Sequence, residues 1–139
     1  MDLQTALDWA GQRNHAVLIT IRSNGRPQSS DISYALDKDT IRISVTADRA
    51  KTRNLVRDPR AVVHITSPDT WSYISFEGDV ELSEVATSPG DEACAELIAY
   101  FRDVAGKEHP DWDEYTQAMI DEGRLIVRFK PTKATGQIN

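Results

Sequence analysis

The sequence has one cysteine, Cys94, and no long apolar run, and each shortage excludes a class of protein. A single thiol forms no disulfide within the chain and builds no thiolate zinc site, which favours a reducing compartment. No segment approaches the roughly 20 apolar residues of a membrane-spanning helix. Residues 1–4 lack the basic and apolar regions of a signal peptide. We therefore expect a cytoplasmic protein that does not enter a membrane.

Positive charge and catalytic motifs are also scarce. The chain carries 16 Lys and Arg against 22 Asp and Glu, so we expect no binding to nucleic acid. His15, His64 and His109 stand in no metal-ligand spacing, and we expect no metal. No phosphate-binding glycine loop, serine nucleophile motif or carboxylate pair is present. We name no catalytic residue, and if the protein is an enzyme, a bound cofactor would carry the chemistry.

Short β-branched segments dominate the chain. Its 139 residues and 40% hydrophobic content suit one domain, residues 1–139, with a real core. Antiparallel hairpins favour a mainly β fold, a small barrel with helices at its ends, over a doubly wound parallel sheet. The patterns predict, in order, a helix at 3–10, strands at 16–21, 28–36 and 41–46, a helix at 48–56, strands at 61–65 and 71–82, helices from 88 and 109, and a strand at 125–129.

The predicted helix at 48–56 begins with an unusual concentration of cations. Arg49, Lys51 and Arg53 lie in its first turns, after an Asp48 expected to cap it. Cations at this end oppose the helix dipole, and a bound anion would relieve that conflict. The free N–H groups of the helix start add to such a site. The alternative is a solvated face whose charges extend into water.

Two further features suggest a ligand, each with a plainer alternative. The polar run Gln28–Asp31 lies inside a predicted strand, where its amide and hydroxyls could bond a heterocycle, or simply form an exposed edge. Trp71 begins a strand, where it could stack on a cofactor or anchor a dimer, although core packing is the commoner role of a large aromatic residue. Gly78 is expected to mark a β-bulge, and Cys94 to be buried in a helix.

Taken in order, several segments resemble one family, the split-barrel flavin and deazaflavin oxidoreductases related to pyridoxamine 5'-phosphate oxidase. Two late segments resemble its branch that uses the deazaflavin coenzyme F420. The resemblance extends from about residue 16 to about residue 129. It is carried by residues 17–21, 24–28, 49–55 and 57–61, and, for the F420 branch, by residues 71–73, 77–78 and 111–115.

The resemblance implies a six-stranded antiparallel split β-barrel with peripheral helices, the FMN-binding split barrel of the pyridoxamine phosphate oxidase type. It implies a homodimer with cofactor at the interface. The cofactor phosphate would lie on the basic helix, the ring would lie along two strands, and one aromatic residue would come from the partner subunit. The implied residues are Arg49, Lys51, Thr52, Arg53 and Asn54 for the phosphate, Thr20, Gln28, Ser29, Ser44 and Val45 for the ring, and Trp71 from the partner.

The function implied by the resemblance is an F420-dependent reductase that transfers hydride from the reduced deazaflavin to a small organic acceptor. An FMN-dependent oxidase or reductase of the pyridoxamine phosphate oxidase type remains open, as does a non-catalytic cofactor carrier. A haem-binding relative is disfavoured, because no histidine stands in a ligand motif. The polar C-terminal segment, residues 133–139, departs from the apolar or aromatic tail usual in such relatives.

Overall fold

The computed structural model describes residues 1–139, which form four helices and one sheet of seven strands. The order of helices and strands agrees with the prediction, apart from one divided strand. The helices are α1 (Leu3–Ala10), α2 (Ala50–Arg57), α3 (Glu92–Ala105) and α4 (Trp112–Asp121). The strands are β1 (His15–Ile21), β2 (Pro27–Ser33), β3 (Ala35–Asp37), β4 (Thr40–Thr46), β5 (Arg60–Ser67), β6 (Ser72–Leu82) and β7 (Arg124–Gln137).

The sheet curls into a barrel that is split along one side. Its strands run in the order β2-β1-β5-β6-β7-β4-β3, and every neighbouring pair is antiparallel. The two edge strands, β2 and β3, are joined by the single residue Tyr34. A flat sheet could not bring its two edges within one residue of each other, so the sheet must curve round. The prediction of a mainly β, antiparallel split barrel with peripheral helices is confirmed.

The predicted number of six strands is wrong, because the second strand divides at Tyr34. The Tyr34 ring is fully buried, and its hydroxyl donates to the Ala10 carbonyl at 2.6 Å. The backbone N–H of Tyr34 donates to the Asn14 carbonyl. Those bonds anchor Tyr34 against the end of α1 and take the chain away from β1. The next residues, Ala35–Asp37, then pair with β4 instead. The division therefore turns the chain from one edge of the split to the other.

One apolar cluster fills the barrel, and a smaller one lies outside it. The large cluster joins the buried face of α1 to inward side chains of β1, β4, β5, β6 and β7. The small cluster packs Cys94 and Leu97 of α3 against Ile126, with α4 beside them. Cys94 is buried, as predicted. None of the four helices has the length and apolar character needed to cross a bilayer.

The last strand extends further than predicted. We expected Pro131 to end it near residue 129, but β7 continues to Gln137 and pairs with β6 along its length. The proline is tolerated because the β6–β7 register shifts between Glu77 and Gly78, which places Gly78 opposite Pro131. The predicted bulge at Gly78 is thus confirmed, and the polar C-terminal segment forms a strand.

Two helices begin later than predicted. Helix α2 begins two residues later than expected, so its N-cap is Arg49 and the predicted cap Asp48 lies outside the helix. Helix α3 begins at Glu92 instead of residue 88, and its N-cap is Asp91. The Asp91 carboxylate accepts N–H bonds from Cys94, Thr87 and Ser88, which together hold its pKa far below the ordinary value. The Asp91 carboxylate therefore accepts hydrogen bonds from backbone N–H groups of the preceding loop as well as from the first turn of α3.

Candidate functional site

A polar cleft of about 430 Å³ lies at the split of the barrel. One wall comes from β2, the opposite wall from β4 and the start of β7, and α2 closes one end. The edges β2 and β3 do not pair, so the sheet stays open here, and side chains of β2 and β4 line the gap. The residues that line it are Gln28, Ser30, Ser44, Val45, Thr46, Arg49, Ala50, Lys51 and Arg124.

The N-terminus of α2 opens into this cleft without a cap. No side chain accepts from its first turn, and the N–H groups of Ala50, Lys51 and Thr52 donate to no protein acceptor. No carboxylate lies within ion-pair distance of the side chains of Arg49 and Lys51, although the protein is acidic overall. Free N–H groups and unpaired cations at a helix start form the arrangement that binds anions.

Two buried polar atoms at the cleft lack a partner within the protein. These are Arg124 Nε and the Thr46 hydroxyl, whose residues pair across β4 and β7. The Arg124 guanidinium reaches the Ser44 hydroxyl and the Glu122 carboxylate only at 3.4 Å each. Leaving a buried donor or acceptor unpaired costs about 1–3 kcal/mol, so native proteins rarely do so without reason. The terminal N–H groups of the same guanidinium, whose protein contacts are long, are suited to a ligand with acceptor oxygens.

The electrostatics of Lys51 show how strongly positive charge is concentrated here. Burial lowers the pKa of its ammonium group below the usual lysine value, and the neighbouring charges of Arg49 and Arg124 lower it further. No carboxylate counters these effects. An anion bound between the three cations would reverse them, because an opposite charge favours the charged form of lysine.

A hydrogen-bond network sets the orientation of Gln28. Asn54 Nδ2, on α2, donates to Gln28 Oε1 at 3.0 Å and to the Thr20 hydroxyl at 3.1 Å. Arg22 also donates to Gln28 Oε1, and Arg57 donates to Asn54 Oδ1. Because the carbonyl oxygen of Gln28 is occupied, its Nε2 remains as a free donor at the cleft wall. That group is suited to a carbonyl or ring nitrogen of a heterocycle.

The predicted site residues fall into three groups. Five of them line the cleft: Gln28, Ser44, Val45, Arg49 and Lys51. Three others are buried behind it and support it, namely Thr20, Thr52 and Asn54. The Thr52 hydroxyl donates to the Thr46 carbonyl at 2.7 Å, which ties α2 to the end of β4. These three position the cleft without lining it.

The remaining predicted residues, Ser29, Arg53 and Trp71, lie away from the cleft. The exposed Ser29 side chain alternates with Gln28 and Ser30 and points to the other face of β2. Arg53 is exposed and donates to the Asp48 carbonyl. Trp71, 83% exposed, lies in the turn before β6 beside a separate groove. Trp71 therefore does not reach the cleft of its own chain.

Sequence reasoning missed three residues of the cleft and named a fourth, Ser30, only as part of the polar run. Ser30 follows Gln28 by two positions, and the strand alternation would have placed both on one face. Ala50 is the first residue of α2, so it lies at the cleft because the helix begins there. Thr46 and Arg124 are adjacent only through the pairing of β4 with β7, which joins segments nearly eighty residues apart. No motif or spacing in the sequence could have connected those two.

The fold and cleft define a split barrel with a cationic site at its split. The family model of pyridoxamine 5'-phosphate oxidase matches residues 4–137. The chain belongs to the pyridoxamine 5'-phosphate oxidase family, as the sequence resemblance predicted.

Solved structures of the same fold include proteins with different cofactors. An F420 reductase has 23% sequence identity and a TM-score of 0.68, over 92% of this chain and 94% of that one. A haem-binding protein from Mycobacterium smegmatis has 22% identity and a TM-score of 0.72, over 97% of this chain and 53% of that one. An FMN-binding protein from Nostoc punctiforme has 16% identity and a TM-score of 0.63, over 98% and 84%. At these identities the likeness is one of fold.

Proposed function

We propose that this protein is an oxidoreductase that binds the deazaflavin coenzyme F420 in the cleft and acts on a small organic acceptor. The observation that carries the proposal is the cationic site formed by Arg49, Lys51 and Arg124 at an uncapped helix start. Family membership supports a phosphate-bearing redox cofactor as its ligand. When bound in its reduced form, that cofactor supplies a hydride.

The residues of the cleft fit the two ends of such a cofactor. Arg49, Lys51 and Arg124 provide charge-assisted donors for a phosphate, and the free N–H groups of α2 add to them. Gln28 Nε2 and the Ser30 hydroxyl offer donors to heteroatoms of a ring, at the β2 wall. The part of this chain is to bind, to orient and to exclude water, for which no acid or base side chain is required.

The choice of F420 over FMN is supported by the sequence resemblance to the F420 branch, because the three cations of the cleft would serve the phosphate of either cofactor. The deazaflavin tail carries carboxylates and follows the phosphate, whereas FMN ends at its phosphate. Arg22 and Arg57 lie around Gln28, at the ring end of the cleft, so they are not placed to meet that tail. FMN remains the second candidate, since its phosphate would use the same three cations.

We also propose that the protein forms a homodimer. The outer face of β1 and β5 carries the half-exposed apolar side chains of Ile19 and Val62, and no helix covers them. Trp71 and Tyr73 add exposed aromatic surface at the start of β6. Apolar patches of this kind commonly mark protein interfaces. A second copy on this face would also give Trp71 a partner surface, consistent with its proposed place beside the cofactor of the other subunit.

Haem has less support in this structure, because no histidine lines the cleft. His15 is exposed near Asp31, and His109 lies in an aromatic cluster with Phe101. His64, whose Nδ1 is 2.6 Å from the Ser75 hydroxyl, lines the separate groove beside Trp71. Histidine is the common axial ligand of haem proteins. A non-catalytic cofactor carrier would differ from the proposed enzyme only in failing to reduce an acceptor.

Titration of the purified protein with F420, FMN and haemin tests the proposal. We expect saturable fluorescence changes with F420 and weaker binding of FMN and haemin. The F420 complex, reduced enzymatically, should then be oxidised by added acceptors, which a carrier would not permit. Sedimentation velocity on the same samples reports the mass of the assembly. Preference for FMN or haemin would overturn the F420 assignment, and failure to bind any of the three would overturn the oxidoreductase.

As the pH rises, the affinity of the cleft for anions should begin to fall at a lower pH than the affinity of a site built on an ordinary lysine. Because the Lys51 pKa is lowered, its ammonium group loses its proton below the usual lysine range, and the attraction falls with it. Sulfate is a suitable probe, since its charge is constant over this range. Calorimetric titration from neutral pH upward should show this loss, and Lys51→Arg should move it to higher pH. Identical profiles for the two proteins would contradict the prediction.

A further inference from the structure

A second recess, of about 350 Å³, adjoins the cleft and shares part of its wall. Ser44, Lys51 and Arg124 line both spaces, so the two cations stand between them. The far wall of this aromatic recess comes from α3 and α4, and its remaining side comes from β2. The residues outside the shared wall are Asp31, Ile32, Ser33, Tyr100, Phe101, Tyr115 and Met119.

The aromatic wall is rigid and uncharged. The Tyr100 hydroxyl donates to the Ser33 carbonyl at 2.9 Å, and the Tyr115 hydroxyl donates to the Leu97 carbonyl at 2.8 Å. The Phe101 ring meets Tyr115 at 5.2 Å and Trp112 at 5.7 Å between centroids, both in edge-to-face contacts. Burial raises the pKa of both tyrosines, that of Tyr115 to about 12, so neither ionises near neutral pH. The wall therefore offers a ligand the faces and edges of three aromatic rings and the thioether of Met119.

Charge in the recess is confined to two places. Lys51 and Arg124 lie on the shared wall, and Arg124 Nε is buried there without a partner. The only carboxylate of the lining, Asp31, is exposed and lies 3.4 Å from His15 Nε2. A ligand is thus offered positive charge at one end and aromatic contact at the other.

We propose that this recess binds a planar aromatic molecule whose anionic group meets Lys51 and Arg124 while its ring lies among Tyr100, Phe101, Tyr115 and Met119. That this molecule is the substrate rests on the proposed function, which requires a second molecule beside the cofactor. The proposal that the recess binds such a molecule does not depend on the proposed function.

Both halves of such a ligand are needed. A small inorganic anion would gain nothing from the four apolar side chains, and a neutral ring would leave Lys51 without an anionic partner. Lys51 and the Arg124 guanidinium, which meets Ser44 and Glu122 only at 3.4 Å each, keep N–H donors for a cofactor phosphate on one side and a second anion on the other. The shared charge makes the two ligands weakly antagonistic, without making them exclude each other.

Binding of 2-naphthoate, followed by its fluorescence, tests the proposal. We expect saturable binding by the purified protein, at least tenfold weaker binding of the neutral 2-naphthamide, and little binding of acetate. Lys51→Ala should weaken 2-naphthoate about tenfold. Lys107→Ala removes an exposed charge in the loop between α3 and α4, outside the lining of the recess, and should change nothing.

Two substitutions on β2 separate the recess from the cleft. Ser33→Phe fills the recess from an exposed edge-strand position, and should weaken 2-naphthoate at least tenfold while F420 and FMN affinities stay within about twofold. Asp31→Asn removes the repelling carboxylate and should strengthen 2-naphthoate severalfold. Thermal unfolding of both variants checks that they fold. Unchanged 2-naphthoate binding in both, with folding intact, would overturn the proposal.

Saturation with the cofactor that binds distinguishes this inference from the proposed function. We expect 2-naphthoate to bind the loaded protein up to about tenfold more weakly, and complete displacement would overturn a separate site. If no redox cofactor binds but 2-naphthoate behaves as described, the proposed function fails and the recess remains. If F420 binds and 2-naphthoate does not, the recess assignment fails alone.

Discussion

Replacement of Lys51 and Arg124 together by methionine should weaken binding of a phosphate-bearing cofactor by about two to four orders of magnitude. Each cation offers charged hydrogen bonds, which contribute about 1.5–3 kcal/mol apiece, and about 1.4 kcal/mol corresponds to a tenfold change in affinity. Methionine keeps the apolar stem of each side chain, so the change isolates the charge. Fluorescence titration with F420 and with FMN measures the effect.

The same double variant should fold with no loss of stability. Its two substitutions remove like-charge repulsion within the cleft and a buried guanidinium nitrogen that has no protein partner. They also remove the contacts of Arg124 with Ser44 and Glu122, which at 3.4 Å and near the surface contribute little to stability. Urea unfolding should therefore give a free energy of unfolding equal to that of the unmodified protein, or higher. A matched control, Lys107→Met with Lys133→Met, removes two exposed cations and should leave cofactor affinity unchanged. A double variant that binds normally would refute the phosphate site, and one that unfolds would refute the electrostatic argument.

A large effect on stability is expected at Gly78, in the bulge of β6. A Cβ atom built there lies 2.2 Å from the Lys130 carbonyl oxygen and 2.9 Å from Pro131 Cα. Both are backbone atoms of the paired strand and cannot rotate away. Gly78→Ala should thus force β6 and β7 apart at their register shift and lower the free energy of unfolding by about 3 kcal/mol.

Gly25→Ala is the matched control for that substitution. Gly25 has φ of +86°, in the hairpin turn between β1 and β2, and an added Cβ meets nothing within 4 Å. Its cost is therefore backbone strain alone, about 1 kcal/mol. Urea unfolding of both variants gives the comparison. An equal loss in the two would mean that strand contact at Gly78 adds nothing to the usual cost of replacing glycine.

Local sequence patterns predicted most of the secondary structure because they report local physics. The alternation in residues 41–46 and the β-branched run at 16–21 each became a strand, and α1 lies where its apolar spacing placed it. The errors arose where distant contacts decided the outcome. Tyr34 divides a strand because its hydroxyl donates a hydrogen bond to the Ala10 carbonyl. Pro131 fails to end β7 because a bulge on the partner strand accommodates it.

The candidate site was predicted in part for the same reason. Arg49 and Lys51 belong to one helix start, so their concentration is visible in the sequence, and both line the cleft. The side on which Ser29 or Ser30 faces depends on which face of β2 is turned inward, and the polar run itself did not reveal that. Arg124 enters the site only through its pairing opposite Thr46.

By itself, the sequence determined the mainly β composition, the family and the basic helix that the proposed function requires. These follow from side-chain periodicity and from residues close together in the chain. The tertiary structure decided the rest. It turns the chain at Tyr34 so that β2 faces β4 across a split, and it brings Arg124 beside Lys51. Long-range strand pairing is set by how the whole sheet buries its inner face, and no local pattern encodes which distant residues then meet.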